Sequence, residues 1–539
     1  MALTPMTARA AIGAVSLLLA LSATPAHADV PQALGAYVRA RAADAAGRSD
    51  VAVEGYRAAL AASPGNALIA VRAYREAMVA GDLPLVRTSV AALKQAGIAP
   101  ADVAVIDVAD AIADRRWQEA NAAVDRMAKG PLDFLVPSIK AWLAFERGDA
   151  GGAATLDPEA KSALERRFNL ENRALIDIAA GRADAGVTAL RSLVAGGTDS
   201  VTIRAAAAQL LVAQGRRDDA RALLAGNDPV LVALREGLRG AKPMAAFGVS
   251  RMFVRLAGDL VDGDARPLAI VLCRAALVLD PRDDRARLTL AGALSNDGAQ
   301  GRAIATVEAV DRRGPYAAAA DAMAVTILSR AGDTDRALDA AERAANAKGA
   351  GADEAQRLGE LLDGAGRHRE AAAAYATALD RAGAAADWTL YLQRGGALEQ
   401  AGQWAEAKPF LERAVALAPQ EAHALNYLGY AQVERGENLA VARALLERAA
   451  RLQPDDAAIA DSLGWAYVRT GDLARGLPLL ERAARAEPGD VTINDHLGDA
   501  YWALGRRYEA RYAWRAATVY ADVAERDRIS AKLANGPAS

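Results

Sequence analysis

Two stretches near the end of the sequence, LGYAQVERGENLAVARALLERAARLQP (428–454) and LGWAYVRTGDLARGLPLLERAARAEP (463–488), are nearly the same. Both begin with Leu-Gly, have a second glycine seven residues after the first, continue with LLERAAR and end in proline. The first stretch has one extra residue in the middle, within RGENLAVA (435–442). Such internal similarity is typical of architectures in which one structural unit is stacked many times.

The second glycine of this pattern recurs along most of the chain. Most of the intervals are 33 to 36 residues, or close to twice that where one glycine is missing. The series comprises Gly47, Gly81, Gly148, Gly181, Gly215, Gly298, Gly332, Gly366, Gly402, Gly436, Gly471 and Gly505. Arg115 and Asp264 stand where a glycine is missing. Glycine adopts the left-handed conformation that ends a helix and reverses the chain, so the series predicts a set of turns between helices.

Small residues flank each predicted turn, and a proline often closes the unit. In the second stretch the small residues are Gly464 and Gly476, and the proline is Pro488. Small side chains let two antiparallel helices approach closely, whereas proline cannot continue a helix. Each unit is therefore predicted to be a helical hairpin of about 34 residues. Such a hairpin cannot bury its own apolar face and must stack on a neighbour.

The composition agrees with an all-helical protein. Of the 539 residues, 53% are hydrophobic and only 5% aromatic, and the dominant types, Ala, Leu, Arg and Glu, are strong helix formers. The 64 basic and 67 acidic residues are interspersed and give a net charge of −3. No basic stripe is available for a nucleic acid and no polybasic block for a membrane surface, so both classes of partner are disfavoured.

Residues 1–28 are predicted to be a cleaved signal peptide. They contain one positive charge, Arg9, an apolar run from Ala10 to Leu21, and a final AHA. Small residues three and one before the cut are typical of secretory cleavage sites. The apolar run is too short to span a bilayer of about 30 Å, and no other stretch approaches that length. We expect a periplasmic protein; full secretion is the alternative that the sequence leaves open.

The spacing and the residue types resemble the tetratricopeptide repeat. Unit 457–490 matches that pattern at Leu463, Gly464, Tyr467, Gly476, Leu480, Ala483 and Pro488. The resemblance implies an all-α solenoid, a right-handed superhelix of about fourteen helix-turn-helix units. It is strong from residue 250 onward and weak between 67 and 200.

The irregular spacing predicts how the chain is divided. Residues 29–234 are interpreted as an N-terminal, partly degenerate array, and 250–524 as a regular C-terminal array. The 49-residue interval from Gly215 to Asp264 places a seam, or an insertion within one continuous superhelix, at 235–249. Residues 525–539 are predicted to form a capping segment and a tail.

The sequence indicates no catalytic, cofactor or metal site, and we predict that the protein is not an enzyme. His423 and His496 have no second ligand at a metal-binding spacing and are expected on a helix surface. Cys273, the only cysteine, is expected to be a small buried apolar residue. The motifs of nucleotide-binding loops, serine hydrolases and zinc proteases do not occur.

The resemblance implies that the first helix of each unit lines a concave groove, with unit positions 2, 5, 9, 12 and 13 facing it. In the last three units these positions include Asn426, Tyr430, Asp461, Trp465, Asp495, Asp499 and Trp502. Aromatic anchors beside hydrogen-bonding groups suit a protein-binding groove. The alternative is that the rings pack against the neighbouring helix. The acidic groups favour a basic or hydrophobic partner segment.

We therefore expect a scaffold or adaptor that binds protein partners at the cell envelope. The C-terminal units are similar to those of adaptors for periplasmic carboxyl-terminal processing proteases, which are usually lipid-anchored; the lipid-accepting cysteine is missing here. The alternative is a structural scaffold for envelope polysaccharide export or cell-wall assembly. The sequence does not determine the partner or the oligomeric state.

Overall fold

A computed structural model describes residues 30–149, 151–160, 162–195 and 201–537. The predicted signal peptide, residues 1–28, lies outside the described residues. Within them the chain forms α-helices joined by short turns and no β-strand. The prediction of an all-α solenoid of helix-turn-helix units is confirmed.

In the described residues, twelve α-helices precede residue 237. They are α1 (Val30–Ala45), α2 (Ser49–Ala62), α3 (Ala67–Ala80), α4 (Leu83–Gln95), α5 (Val103–Ala113), α6 (Trp117–Met127), α7 (Val136–Glu146), α8 (Ala163–Ala179), α9 (Ala183–Ala195), α10 (Val201–Ala213), α11 (Arg217–Leu223) and α12 (Pro229–Glu236). Short 3-10 turns at Asp133–Leu135 and Gly152–Thr155 flank α7. Residues 237–244 are not helical and connect α12 to the next helix.

Helices of more uniform length follow. They are α13 (Ala245–Leu260), α14 (Arg266–Leu279), α15 (Asp284–Asn296), α16 (Gln300–Glu308), α17 (Ala317–Ala331), α18 (Thr334–Asn346), α19 (Ala352–Gly364), α20 (His368–Ala382), α21 (Trp388–Gln400), α22 (Trp404–Leu417), α23 (Ala422–Arg435), α24 (Leu439–Leu452), α25 (Ala457–Arg469), α26 (Leu473–Ala486), α27 (Val491–Ala503), α28 (Arg507–Tyr520) and α29 (Val523–Asn535). From α13 to α28 they pack in consecutive hairpins. The first helices of the late hairpins also touch, α23 with α25 and α25 with α27, so they line one face of the stack.

The glycine series marks the turns as predicted. All twelve glycines have positive φ values, between 67° and 88°, and so does Arg115 at 58°. Asp264 does not adopt this conformation. After α25 the backbone N–H of Asp472 donates to Tyr467 O at 2.8 Å, and that of Gly471 donates to Val468 O at 3.0 Å. These bonds satisfy carbonyl groups that the helix end leaves unpaired.

The small residues permit close contact within each hairpin. A Cβ atom on Gly464 would lie 2.9 Å from Leu480 Cγ, and one on Gly498 would lie 2.3 Å from Trp514 Nε1. Neither distance is possible for carbon without movement of a neighbour. Glycine at these positions is therefore required by the packing of the two helices.

The hydrophobic core follows the stack. One cluster of buried side chains extends from Ala36 to Ala341 and includes Cys273, which is fully buried as expected. Beyond it, smaller clusters lie between neighbouring hairpins; one joins Leu480 of α26 to Leu497 of α27. Each hairpin thus completes the core of the previous one, as the repeated sequence predicts.

The hairpin α13–α14 also packs against the N-terminal helices. Helix α14 lies against α5 and α3, and α13 lies against α7 and α8. The guanidinium group of Arg274 donates from Nε to Met78 O at 3.0 Å and from Nη2 to Val79 O at 2.7 Å. These carbonyls belong to the last turn of α3, where a cation is also favoured by the helix dipole. The sequence does not predict this long-range contact.

Candidate functional site

The predicted groove residues lie on α23, α25 and α27, the first helices of the last three hairpins. Asn426 and Tyr430 belong to α23, Asp461 and Trp465 to α25, and Asp495, Asp499 and Trp502 to α27. Because α23 packs on α25 and α25 on α27, equivalent positions of successive hairpins are neighbours. We call this surface the C-terminal groove.

Trp465 joins three hairpins. Its ring stacks on the imidazole of His496, with centroids 4.3 Å apart and planes inclined by 10°. Its Nε1 donates to Glu434 Oε1 at 2.5 Å, and only 8% of the residue is exposed. The ring therefore packs on a neighbouring helix, which was the alternative to a free groove position. Its role in binding a partner stays a prediction.

His496 is buried between these helices, so the expectation that it lies on a helix surface is wrong. Its Nδ1 lies 2.8 Å from Asp461 Oδ2, and both side chains are nearly inaccessible. Burial by itself lowers the pKa of His496. The charges of Asp461, Glu434 and Asp495 outweigh burial, and the net result is a raised pKa. An imidazolium paired with a carboxylate is thus favoured in the interior of the stack.

Asn426 and Tyr430 are half-buried on α23. They are four residues apart and therefore share one face of α23. The Tyr430 ring lies 6.0 Å from the His496 ring, and burial raises the pKa of its hydroxyl. Asn426 Oδ1 is buried and has no hydrogen-bond partner among the described residues. The side chain would have to turn outward before this oxygen could accept a donor from a bound segment.

Asp495 and Asp499 are paired with basic side chains of the final helix, α29. Asp495 is 3% exposed and accepts from Arg528 at 2.5 Å and from Lys532 at 2.8 Å. Lys532 also donates to Asp499 at 2.7 Å. Burial raises the pKa of Asp499 in spite of Lys532 and of the Trp514 indole, which donates to it at 3.1 Å. The acidic end of the C-terminal groove is therefore covered by the chain itself.

Trp502 lies apart from the other two predicted aromatic residues. Its ring is 5.4 Å from the Trp514 ring, and the Arg507 guanidinium lies 3.6 Å above it. A Cβ atom on Gly536 would lie 2.2 Å from Trp502, so the segment after α29 is packed closely against this ring. The ring contacts of Trp502 include neither Trp465 nor Tyr430.

The turn that contains the extra residue, within 435–442, makes a specific contact with the previous hairpin. Asn438 adopts a left-handed conformation with φ 47°, in addition to the turn glycine, Gly436. The turn projects Glu437 toward the previous hairpin. There Glu437 accepts from Trp404 Nε1 at 3.1 Å and from Lys408 Nζ at 3.4 Å. These bonds lower the pKa of Glu437 and tie the longer turn to its neighbour.

A sequence profile described as tetratricopeptide repeat matches three windows of the chain, residues 356–420, 392–457 and 462–527. The residues of the C-terminal groove lie within the last two windows, except Asp461, which lies between them. The chain contains tetratricopeptide repeats. Such repeats are in general non-catalytic scaffolds that mediate interactions between proteins.

Solved tetratricopeptide repeat structures are similar to parts of the chain. One from Parabacteroides merdae is 16% identical, with 47% of this chain and 97% of that chain covered and a TM-score of 0.40. A thermophilic one from Thermus thermophilus is 23% identical, covering 34% of this chain and 99% of that chain, with a TM-score of 0.31. YrrB, described as having an unusual peptide-binding site, is 21% identical over 33% of this chain and 89% of its own, with a TM-score of 0.28. No curated protein matches the sequence.

Metal sites, membrane-spanning helices and a reactive cysteine are the other features that could indicate a function. In the described ranges no three His, Cys, Asp or Glu side chains are grouped so that they could hold a metal ion. The described helices include none with the length and apolar character of a membrane span. Burial strongly raises the pKa of the Cys273 thiol, which disfavours the reactive thiolate.

Sequence reasoning missed two features of the C-terminal groove. His496 carries no local signal of burial, since its partner Asp461 belongs to the preceding unit. The contact of Arg528 and Lys532 with the groove could have been predicted from the sequence. Two cations spaced by four residues lie on one helical face, directly after units whose predicted groove positions are acidic.

Proposed function

We propose that this protein is a non-enzymatic adaptor exported to the cell envelope, and that its C-terminal groove binds a basic segment of a protein partner. The observation that carries the proposal is the contact of Asp495 and Asp499 with Arg528 and Lys532. Here the chain places a helix with cations at a spacing of four against its own groove carboxylates. The same chemistry would hold a basic segment of another protein.

The groove continues beyond the part that α29 covers. His423 and Glu434 are exposed on α23, and Tyr430 and Asn426 are half-buried beside them. Glu434 supplies an exposed carboxylate, and Asn426 supplies an amide whose oxygen has no partner among the described residues. A tyrosine edged by acceptors is the kind of anchor that dominates protein interfaces. The partner segment is therefore expected to present lysine or arginine beside an apolar residue.

Export rests on residues 1–28, with their apolar run and small residues before Ala28. The resemblance of the C-terminal units to protease adaptors favours a carboxyl-terminal processing protease as the partner. Export is tested by fractionating cells that produce the full chain, and the protease by its recovery with the mature protein from the periplasmic fraction. Mature protein starting at Asp29 in the periplasmic fraction supports export, and unprocessed protein in the cytoplasm contradicts it.

Binding is tested with purified protein and a labelled helical peptide that carries lysine and arginine four residues apart. The double variant Asn426→Ala/Tyr430→Ala should weaken binding by roughly tenfold, because it removes the Asn426 amide and the half-buried tyrosine anchor. Tyr512→Ala is the matched control, since Tyr512 is 57% exposed on the outer helix α28. Equal affinity of the double variant and the control, with unchanged helicity, contradicts a binding role for the C-terminal groove.

A further inference from the structure

A large cavity lies in another part of the described structure, between residues 202 and 348, and shares no residue with the C-terminal groove. It has a volume of about 890 Å³ and is bounded by α10, α12, the first turn of α15 and the connection 309–316 that precedes α17. The connection after α12, residues 237–239, forms one wall. The segment between the two arrays thus contributes directly to a concave space, and the volume is within the range of ligand sites.

The lining of this cavity is strongly basic. Six arginines and one lysine face four acidic residues. Three of the cations are neutralised by three of the acids. These pairs are Arg251 with Asp283 at 2.8 Å, Arg287 with Asp284 at 2.6 Å, and Lys348 with Glu236 at 3.1 Å.

Four arginines of the lining remain without a counter-charge: Arg239, Arg282, Arg285 and Arg313. In the part of the chain that the structure describes, their guanidinium groups form no ion pair and no side-chain hydrogen bond. Arg251 and Arg287, which line the same cavity, are both paired. The fourth acid of the lining, Asp311, forms no ion pair with a described residue either, so the unpaired groups give the cavity a net positive charge that an anion would offset.

Arg285 places one of the unpaired charges within the wall of the cavity. It is half-buried in the first turn of α15, and its Nε is inaccessible to water and has no hydrogen-bond partner. A buried N–H donor without an acceptor costs free energy. Its neighbour Tyr316 is buried, and burial raises the pKa of that hydroxyl to about 12, so it remains a neutral donor. Arg285 therefore adds positive charge to the wall of the cavity, although its Nε itself is not open to a ligand.

The arrangement of the cations indicates an extended ligand. Arg239 comes from the connection after α12, Arg282 and Arg285 from the start of α15, and Arg313 from the turn before α17. Arginine binds carboxylates through two parallel hydrogen bonds. Apolar residues also line the cavity, among them Leu234, Leu238 and Pro315, so that a ligand with both carboxylates and apolar groups fits best.

We infer that this cavity binds an acidic polypeptide segment, one that carries several Asp or Glu side chains. The site is separate from the C-terminal groove and has the opposite charge preference. The two sites together would let one chain hold two segments of different charge. Binding at the cavity does not require that the C-terminal groove bind a partner.

The experiment measures binding of fluorescein-labelled hexaglutamate to the full chain by fluorescence anisotropy. Saturable binding is expected at low salt, weakening as salt screens the charges. Hexalysine is the control for charge sign and should not displace the labelled hexaglutamate, even if it binds at the C-terminal groove; tripolyphosphate is the probe for a phosphate-bearing ligand. Saturation by tripolyphosphate without any by hexaglutamate overturns the polypeptide assignment.

The double variant Arg282→Ala/Arg313→Ala should lower the affinity for hexaglutamate at least tenfold. Both residues are exposed in turns, so the helices should remain intact. The matched control is Arg482→Ala/Arg485→Ala, which removes the same charge from an exposed face of α26 and should change the affinity less than twofold. If the two double variants lost affinity for hexaglutamate equally, the loss would be explained by net charge alone, and the proposed site would be wrong. Absence of saturable binding below about 1 mM would also overturn the site.

Discussion

The imidazole of His496 lies 2.8 Å from the carboxylate of Asp461, although the two residues are 35 positions apart and belong to different hairpins. Trp465 covers the pair from one side, at 4.3 Å from the imidazole. An ion pair at the boundary between two repeats holds them in one register, since the carboxylate alone would be a buried charge. Because the imidazole titrates, the contact makes the stability of the repeat stack depend on pH.

The pH dependence of stability has a defined sign. The pKa of His496 is raised on folding, so the pair contributes fully below the unfolded value of about 6.5 and is lost as pH rises through the folded pKa. The stability advantage of the native chain over Asp461→Asn should therefore be larger at about pH 6 than at about pH 9. Urea unfolding followed by tryptophan fluorescence measures it. The control is Asp455→Asn, which alters an exposed carboxylate; an advantage of Asp461 that is the same at both pH values would refute the coupling.

Removal of the Trp465 ring should destabilise the C-terminal repeats. The ring is 8% exposed, stacks on His496 and donates to Glu434, and truncating a buried tryptophan costs about 3 to 5 kcal/mol. Trp465→Phe keeps an aromatic ring and should cost less. Thermal unfolding with circular dichroism compares both with Tyr512→Ala, an exposed control expected to change stability by less than about 0.5 kcal/mol. If Trp465→Ala melts like the control, the ring belongs to the open surface.

The turns were predictable from the sequence because their cause is local. A residue such as Gly471 is needed wherever a helix ends in a left-handed conformation, and the spacing of such residues shows the period. Arg115 adopts the same conformation without being glycine, since its position in the series demands it. The hairpins and their stacking follow from this period alone.

The environment of the groove residues was not predictable in the same way. Whether Trp465 faces a partner or a neighbouring helix depends on His496, which lies 31 residues further along the chain and is supplied by the next repeat. The contact of Arg274 with Met78 joins residues 196 apart. Such contacts depend on how the whole superhelix curves, and no periodic pattern in one repeat encodes them.

The salt bridges of Lys532 should stabilise the end of the stack. Lys532 is the cation that Asp495 and Asp499 share, and its side chain is 15% exposed. Lys532→Glu would place a third carboxylate beside them, and breaking such a buried pair costs about 3 to 5 kcal/mol. Hydrogen exchange should therefore accelerate in α27 and α28. Lys532→Arg retains the charge and should restore protection; if both variants exchange like the native chain, α29 does not stabilise the repeats.

Two glycines of the last hairpin should respond differently to substitution by alanine. Gly498 faces the second helix, and a Cβ atom there would lie 2.3 Å from Trp514 Nε1. Gly498→Ala must displace the indole, which also donates to Asp499; overpacking of this kind costs about 1 to 3 kcal/mol. Gly505 lies in the turn with φ 76° and open space around it, so Gly505→Ala meets only the strain of the left-handed conformation, about 1 kcal/mol.

Urea unfolding of the two variants separates these causes. The loss for Gly498→Ala should exceed that for Gly505→Ala. Adding Trp514→Phe to Gly498→Ala removes the atom that clashes and should recover part of the difference, because the smaller ring leaves room for the new methyl group. The same Trp514→Phe change in the native chain is the control and should only destabilise, since it vacates space and leaves Asp499 without the indole donor. If Gly498→Ala is tolerated as well as Gly505→Ala, close approach of the two helices is not what requires glycine at position 498.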